Sequence, residues 1–422
     1  MKILKKWILC IVICMLMIAS LPLISGQLTQ SNVIKDTNGK YLSIFSKTWM
    51  KTLGGVDYDI GRAFQQTADG GYIIVGSTEN FGIGGTDVWL IKTDENGNEL
   101  WNKTFGTTDN PQSFEIGTEV LQTSDSGYMV SARIDYNFWM IKTDENGNEE
   151  WSKIYLKSTG YSMCKTDDEC YIVSGYNSTC RCLWILKVNS SGNEIWQKNF
   201  EEFDSKGLSI KLTTDHGYII AGENYIVKTD ENGEENWIIT LNNSMQCLDV
   251  LQSNDGTFAA IGKKGDWPRN VTGWLMKIDT IGQIVSLKNY RGLFTGYIFK
   301  KLHQTSDGGY IITGEADSNI KFWGLLRLKL FIIKTNENGL IIWKRTYGSG
   351  NSYDFGIDIK ELSSGGYIVL GGTNSYGAGN VDIWLIKTDT NGRVQFLYRV
   401  LNLIPIIKNL MIMISRIIWE SD

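Results

Sequence analysis

The run DVWLIKTDENGNELW, Asp87 to Trp101, returns in close copies along most of the 422-residue chain. It joins an apolar run, a polar turn and a second run that opens on tryptophan, which is the pattern of two strands and a hairpin. A unit this small cannot bury its own apolar face. Stacked copies bury it against one another, so the recurrence constrains the architecture more tightly than length does.

Each unit carries four marks. The first is tryptophan, with a lysine two residues on and then a glycine, as in Trp49, Lys51 and Gly54 or Trp101, Lys103 and Gly106. The same position is held by Trp151, Trp196, Trp237, Ser286, Trp343 and Phe396, at spacings of 41 to 57 residues. That is the span of a four-stranded propeller blade. The second mark is a turn such as Gln66 to Gly70, and the third is a GYIIVG-like strand with Tyr72, Tyr128, Tyr171, Tyr218, Tyr310 or Tyr367, and Phe258 in one unit. The fourth is the opening run, whose lysine recurs as Lys92, Lys142, Lys187, Lys228, Lys277, Lys334 and Lys387. Seven units result.

Runs such as Tyr72 to Val75 and Val88 to Ile91 are short, rich in β-branched and aromatic residues, and bounded by Gly, Asn and Asp, as strands are. They are apolar on both faces, as blades sandwiched between neighbours must be. Forty-five glycines, 15 tryptophans and four prolines suit many turn-linked strands with large side chains between sheets. The expected fold is all-β: a seven-bladed β-propeller of four-stranded antiparallel blades over residues 45–396. If the ring closes, Trp49 to Leu53 and Phe396 to Arg399 compete for the outermost strand of the last blade. The N-terminal segment is favoured because it keeps the Trp, Lys and Gly marks.

Two connections per unit are tight, the TxDGG and DENG turns, in which Asp, Asn and Gly accept left-handed backbone. The other two vary in length. Alternate connections of an antiparallel sheet lie at opposite ends, so the tight turns share one face and the variable loops the other, where binding is expected.

Residues 1–26 have the order of a signal peptide or N-terminal anchor: basic MKILKK, an apolar run from Trp7 to Ile24, then Ser25 and Gly26. Residues 27–44 read as an unpatterned lead-in. Residues 397–422 form a non-repeat apolar tail in which Lys408, Arg416 and Pro405 oppose membrane insertion. Membrane contact is therefore expected only through an uncleaved leader or that tail. Five sequons, at Asn102, Asn177, Asn189, Asn242 and Asn270, permit glycans on an exported chain. Asn319 to Leu330 breaks the repeat and reads as an insertion in the sixth unit. A net charge of -5 gives no reason to expect a nucleic-acid partner.

The pattern Y-I-I-x-G followed by W-L-I-K-x-D-x-x-G-x-x-x-W resembles the quinoprotein-like β-propeller repeats common in exported prokaryotic proteins. It covers residues 49–396 and implies fold far more than function. In quinone-dependent dehydrogenases of that superfamily an adjacent cysteine pair meets the cofactor, whereas Cys180 and Cys182 are separated by Arg181. No cofactor is expected.

With only His216 and His303, a serine triad or a histidine-based metal site has little material. The DENG turns hold oxygen ligands and a glycine but lack the twelfth-position glutamate of a calcium loop. Cys164, Cys170, Cys180, Cys182 and Cys247 follow the leader; buried thiols, a disulfide and a metal cluster are all open. Eleven of the 15 tryptophans sit at two repeat positions and belong to the core, and of the other four Trp267 and Trp323 fall in variable loops.

The strongest candidate site is acidic. Asp59, Glu115 and Asp354 each stand two residues before the glycine of an innermost strand, in units one, two and seven, which ring closure makes contiguous. Tyr58, Phe114 and Tyr353 precede them, and similar Gly-rich loops, Asn80 to Thr86 and Asn374 to Val381, flank them. Carboxylates beside aromatics suit a cation or a sugar, or acid/base work on a glycoside; alternatively they cap loop backbone. The expected ligand-binding set is Asp59, Glu115, Asp354, Tyr58, Tyr353 and Trp267. The functional expectation is an exported cell-surface binding or scaffolding module whose variable-loop face contacts a glycan or a surface protein. The alternative is an enzyme on the same scaffold, either a quinone-dependent oxidoreductase or a carbohydrate-active hydrolase.

Overall fold

The computed structural model of the chain describes residues 33–35, 41–43, 48–106, 114–265, 271–292, 295–318, 328–349 and 352–394. The leader, the apolar tail, Trp267, Trp323 and the sequon at Asn270 lie outside them. A short antiparallel pair, Val33–Lys35 with Tyr41–Ser43, forms a unit of its own within the lead-in that sequence left unpatterned.

The remainder is a ring of seven four-stranded antiparallel blades. Blades 1 to 6 take residues 59–105, 115–155, 158–200, 207–240, 245–290 and 295–347 in simple strand order. Blade 7 takes its inner three strands from residues 354–388 and its outermost from Trp49–Leu53, which pairs with Asp382–Thr388 from Trp49 opposite Lys387 to Leu53 opposite Ile383. The N-terminal strand therefore closes the ring, while the competing segment from Phe396 lies outside the described residues. In blade 6 the third strand begins at Leu328, so the last three residues assigned to the insertion belong to the sheet.

The repeat marks are latches, and each acts on a different neighbour. The third-strand lysine crosses within its own blade to the aspartate of the first turn: Lys92 to Asp69 at 2.8 Å, Lys142 to Asp125 at 2.9 Å, Lys228 to Asp215 at 2.8 Å and Lys334 to Asp307 at 2.8 Å. The outermost tryptophan and lysine reach the next blade instead. Gly97 of blade 1 has φ 73°, and a Cβ there would stand 2.5 Å from the Trp49 ring; Lys51 Nζ donates to Asn98 Oδ1 at 2.9 Å. Trp101 lies the same way under Gly147, Trp151 under Gly192 and Trp343 under Gly392. Only glycine accepts both the left-handed backbone and the indole. The core is accordingly interblade, as where Phe64, Ile74 and Trp89 of blade 1 pack with Leu370, Ile383 and Leu385 of blade 7.

Every innermost strand carries a bulge just after its opening glycine position, for example between Gly61 and Ala63 and between Gly117 and Glu119. A bulge re-aims a side chain, so the bulged residues, among them Arg62, Tyr161 and Lys300, escape the pattern of the strand. Deeper along these strands, Asp249 is buried and accepts from Ser209 Oγ at 2.6 Å and Leu302 N at 2.9 Å, with Lys301 Nζ at 3.6 Å. Burial works against the Lys301 ammonium, but Asp249, Asp358 and Glu119 more than offset it and raise its pKa.

Candidate functional site

Asp59, Glu115 and Asp354 open the innermost strands of blades 1, 2 and 7, so all three stand at the variable-loop end of contiguous blades. All are fully buried. Asp59 Oδ2 accepts from Gly55 N at 2.6 Å and Asn80 Nδ2 at 2.7 Å. Asp354 Oδ1 accepts from Thr373 Oγ1 at 2.5 Å, and its Oδ2 accepts from Ser375 Oγ at 2.6 Å and from Ser352 Oγ. These carboxylates hold the loops above them. Burial raises the Asp59 pKa against the hydrogen bonds of Thr78, Gly55 and Asn80, and the charge of Asp382 adds to the rise.

The close acidic pairs are formed across blade boundaries with residues the sequence reading did not single out. Asp382 and Asp87 open the third strands of blades 7 and 1. Each meets the acid of the next blade, Asp382 with Asp59 and Asp87 with Glu115. Asp87 Oδ2 accepts from Ile83 N at 3.0 Å, but its Oδ1 is buried with no hydrogen-bond partner among the described residues. Desolvation first, and the Glu115 charge second, push Asp87 up to about 6. Blade 7 repeats the loop: Asp382 Oδ2 accepts from Ala378 N at 3.0 Å, and burial raises its pKa. Phe81 lies 5.2 Å from Trp89 just as Tyr376 lies 5.2 Å from Trp384. The two glycine-rich loops are thus one anchored device used twice, and an aspartate at the start of the third strand was the sequence signal for it.

The aromatic members of the set differ from the acids beneath them. Tyr58 is 45% exposed, Phe114 52% and Tyr353 39%. Tyr58 and Phe114 bridge to Val381 and Thr86 of the preceding blades, an arrangement that fixes the backbone and leaves the rings outward.

A concave site lies on the same face over blades 2, 3 and 4. Its volume is about 440 Å3, and Phe114, Arg133, Tyr136, Tyr161, Tyr176 and Lys206 are among its lining residues. Loop length explains its position. Blades 1 and 7 carry the loops 79–86 and 374–381 between their second and third strands, whereas blade 2 has only Asp135 and Tyr136 there, with Asp135 at φ 52°. The short hairpin uncovers the inner strand ends and leaves Tyr136 78% exposed. In blade 3 a Cys180–Cys182 disulfide braces the corresponding loop beside Tyr176 and Ser178, while Cys164, Cys170 and Cys247 are free. Of the groove residues, only Phe114 stands out in the sequence. Aligning the units on their opening glycines would have shown Tyr161 at the bulge position held by Arg62 in blade 1.

The comparisons agree with the fold and stop there. No protein-family model and no curated protein matches the sequence. The structure is similar to the WD40 domain of Pan2 from Neurospora crassa, at 10% identity and a TM-score of 0.53 over 83% of this chain and 98% of that one. It is also similar to a protein from Lactobacillus plantarum, at 10% identity and a TM-score of 0.49 over 76% and 97% of the two chains. At this identity the likeness to the Pan2 domain speaks for the β-propeller alone.

Proposed function

We propose that the protein is an exported binding module of the cell surface that contacts a glycan or a surface component through its variable-loop face. The groove over blades 2, 3 and 4 is its principal site. The observation that carries this reading is a concavity of about 440 Å3 rimmed by outward aromatic rings, Phe114 and Tyr136 above Tyr161 and Tyr176. Pockets of this size, mostly apolar with a few placed polar groups, are where small ligands bind. Exposed aromatics with a polar edge suit a partner that is apolar on one face and hydroxylated on the other. Tyr58 and Tyr353 continue the exposed aromatic row onto blades 1 and 7, where Asp59 and Asp354 fix the neighbouring loops; Trp267 lies outside the described residues.

A glycan array probed with the full chain, with Tyr136→Ala and with Glu145→Gln on the tight-turn face tests the reading. Signals lost in Tyr136→Ala and kept in Glu145→Gln are expected. Equal signals from all three proteins would refute the placement.

A further inference from the structure

Resting on that reading, we propose that the ligand of the groove is a sugar bearing a carboxylate, met by the Arg133 guanidinium while the rings of Phe114, Tyr136 and Tyr176 hold the sugar faces. Arg133 projects from the second strand of blade 2, and its guanidinium carbon lies 5.3 Å from the centre of the Tyr161 ring. A cation–π contact of this kind holds the guanidinium beside the ring and leaves N–H groups for an anion. Its Nε is buried and has no hydrogen-bond partner among the described residues. Arg133 as a whole is half-buried and lines the groove, so a carboxylate there meets the outer N–H groups of the fork, with the two-bond geometry that guanidinium favours.

The surroundings are cationic as well. Arg62, at the bulge of blade 1, is close enough for the two guanidinium charges to repel. Lys206 lies on the far wall, 3.5 Å from Glu223. Asp135 is the only acid among the lining residues, and it sits in the two-residue hairpin beside Tyr136.

Sugar is favoured over an acidic peptide by the shape of the walls. Thr159, Ser178 and the tyrosine hydroxyls supply hydrogen-bonding groups between aromatic faces. The strands below are paired within their blades, so a peptide backbone finds no free ladder to join.

The test is calorimetric titration of the full chain with galacturonate, glucuronate and mannuronate oligosaccharides, the methyl esters of each, and a glutamate-rich peptide. At least one uronate should bind the wild type, its neutral ester roughly ten- to a hundred-fold more weakly, and the peptide more weakly than both. Arg133→Gln should abolish the preference for acid over ester, and Tyr136→Ala should weaken the two forms equally. Acid and ester binding alike would overturn this inference while leaving the groove as a glycan site. Tighter binding of the peptide would replace the sugar. No binding of any oligosaccharide by the wild type would overturn both readings. The acid and ester comparison needs no substitution, so an unstable variant does not silence it.

Discussion

Asp87→Asn should stabilise the fold at neutral pH and leave it nearly unchanged at pH 4. Asp87 is buried, one carboxylate oxygen lacks a partner among the described residues, and Glu115 stands beside it. Its folded pKa is raised from 3.8 to about 6. Below pH 4 the group is protonated in folded and unfolded chains alike, and there is no penalty. Between pH 4 and 6 the unfolded chain gives up its proton while the fold keeps it, so stability falls as pH rises. Above pH 6 both forms are ionised and the loss is complete. Two pKa units at about 1.4 kcal/mol each set it at about 3 kcal/mol. The asparagine oxygen still accepts from Ile83 N, and its amide turns a donor toward Glu115 in place of a like charge. Chemical unfolding of wild type and variant, followed by tryptophan fluorescence from pH 4 to 7, should show a stability difference that opens across pH 4 to 6. A pH-independent difference, or a variant less stable at pH 7, would refute the assignment of Asp87 as a strained acid.

Asp249→Ala removes the acceptor of Ser209 Oγ and Leu302 N and the counter-charge of Lys301, and should cost about 3–5 kcal/mol in unfolding experiments. A loss below about 1 kcal/mol would mean that the innermost strands do not depend on this charge network. Gly97→Ala should lower the melting temperature more than Gly70→Ala. Both glycines have positive φ, but only Gly97 faces an indole, whereas a Cβ at Gly70 meets nothing within 4 Å. Equal effects would assign the cost to the backbone alone, about 1–2 kcal/mol.

The fold was legible in the chain because its units are repeated, and each repeated residue has one physical task. Trp49 and Lys51 could be recognised as the closing strand since they carry the marks that grip the next blade, and the structure shows those marks at work on Gly97 and Asn98. The site was less legible for the same reason. Asp59 and Asp354 attracted notice by recurring, and what recurs in a repeat protein is mostly support: both are buried beneath loops they anchor. Arg133, Tyr161 and Tyr176 occur once each at positions where the units disagree, so no pattern announces them. Their convergence depends on the hairpin Asp135 and Tyr136 being short, and a short loop is an omission that sequence shows only once the neighbouring loops have been measured. The Cys180–Cys182 bond was hidden differently, since it closes within one loop and needs no fold to bring its partners together.

Covalent footprinting of the full chain, free and saturated with the uronate oligosaccharide that binds best, tests the central claim most directly. The account predicts protection at Phe114, Tyr136, Tyr161 and Tyr176 and none at the DENG turns around Glu145 and Glu231. Protection at those turns, or protection that avoids blades 2, 3 and 4, would contradict it.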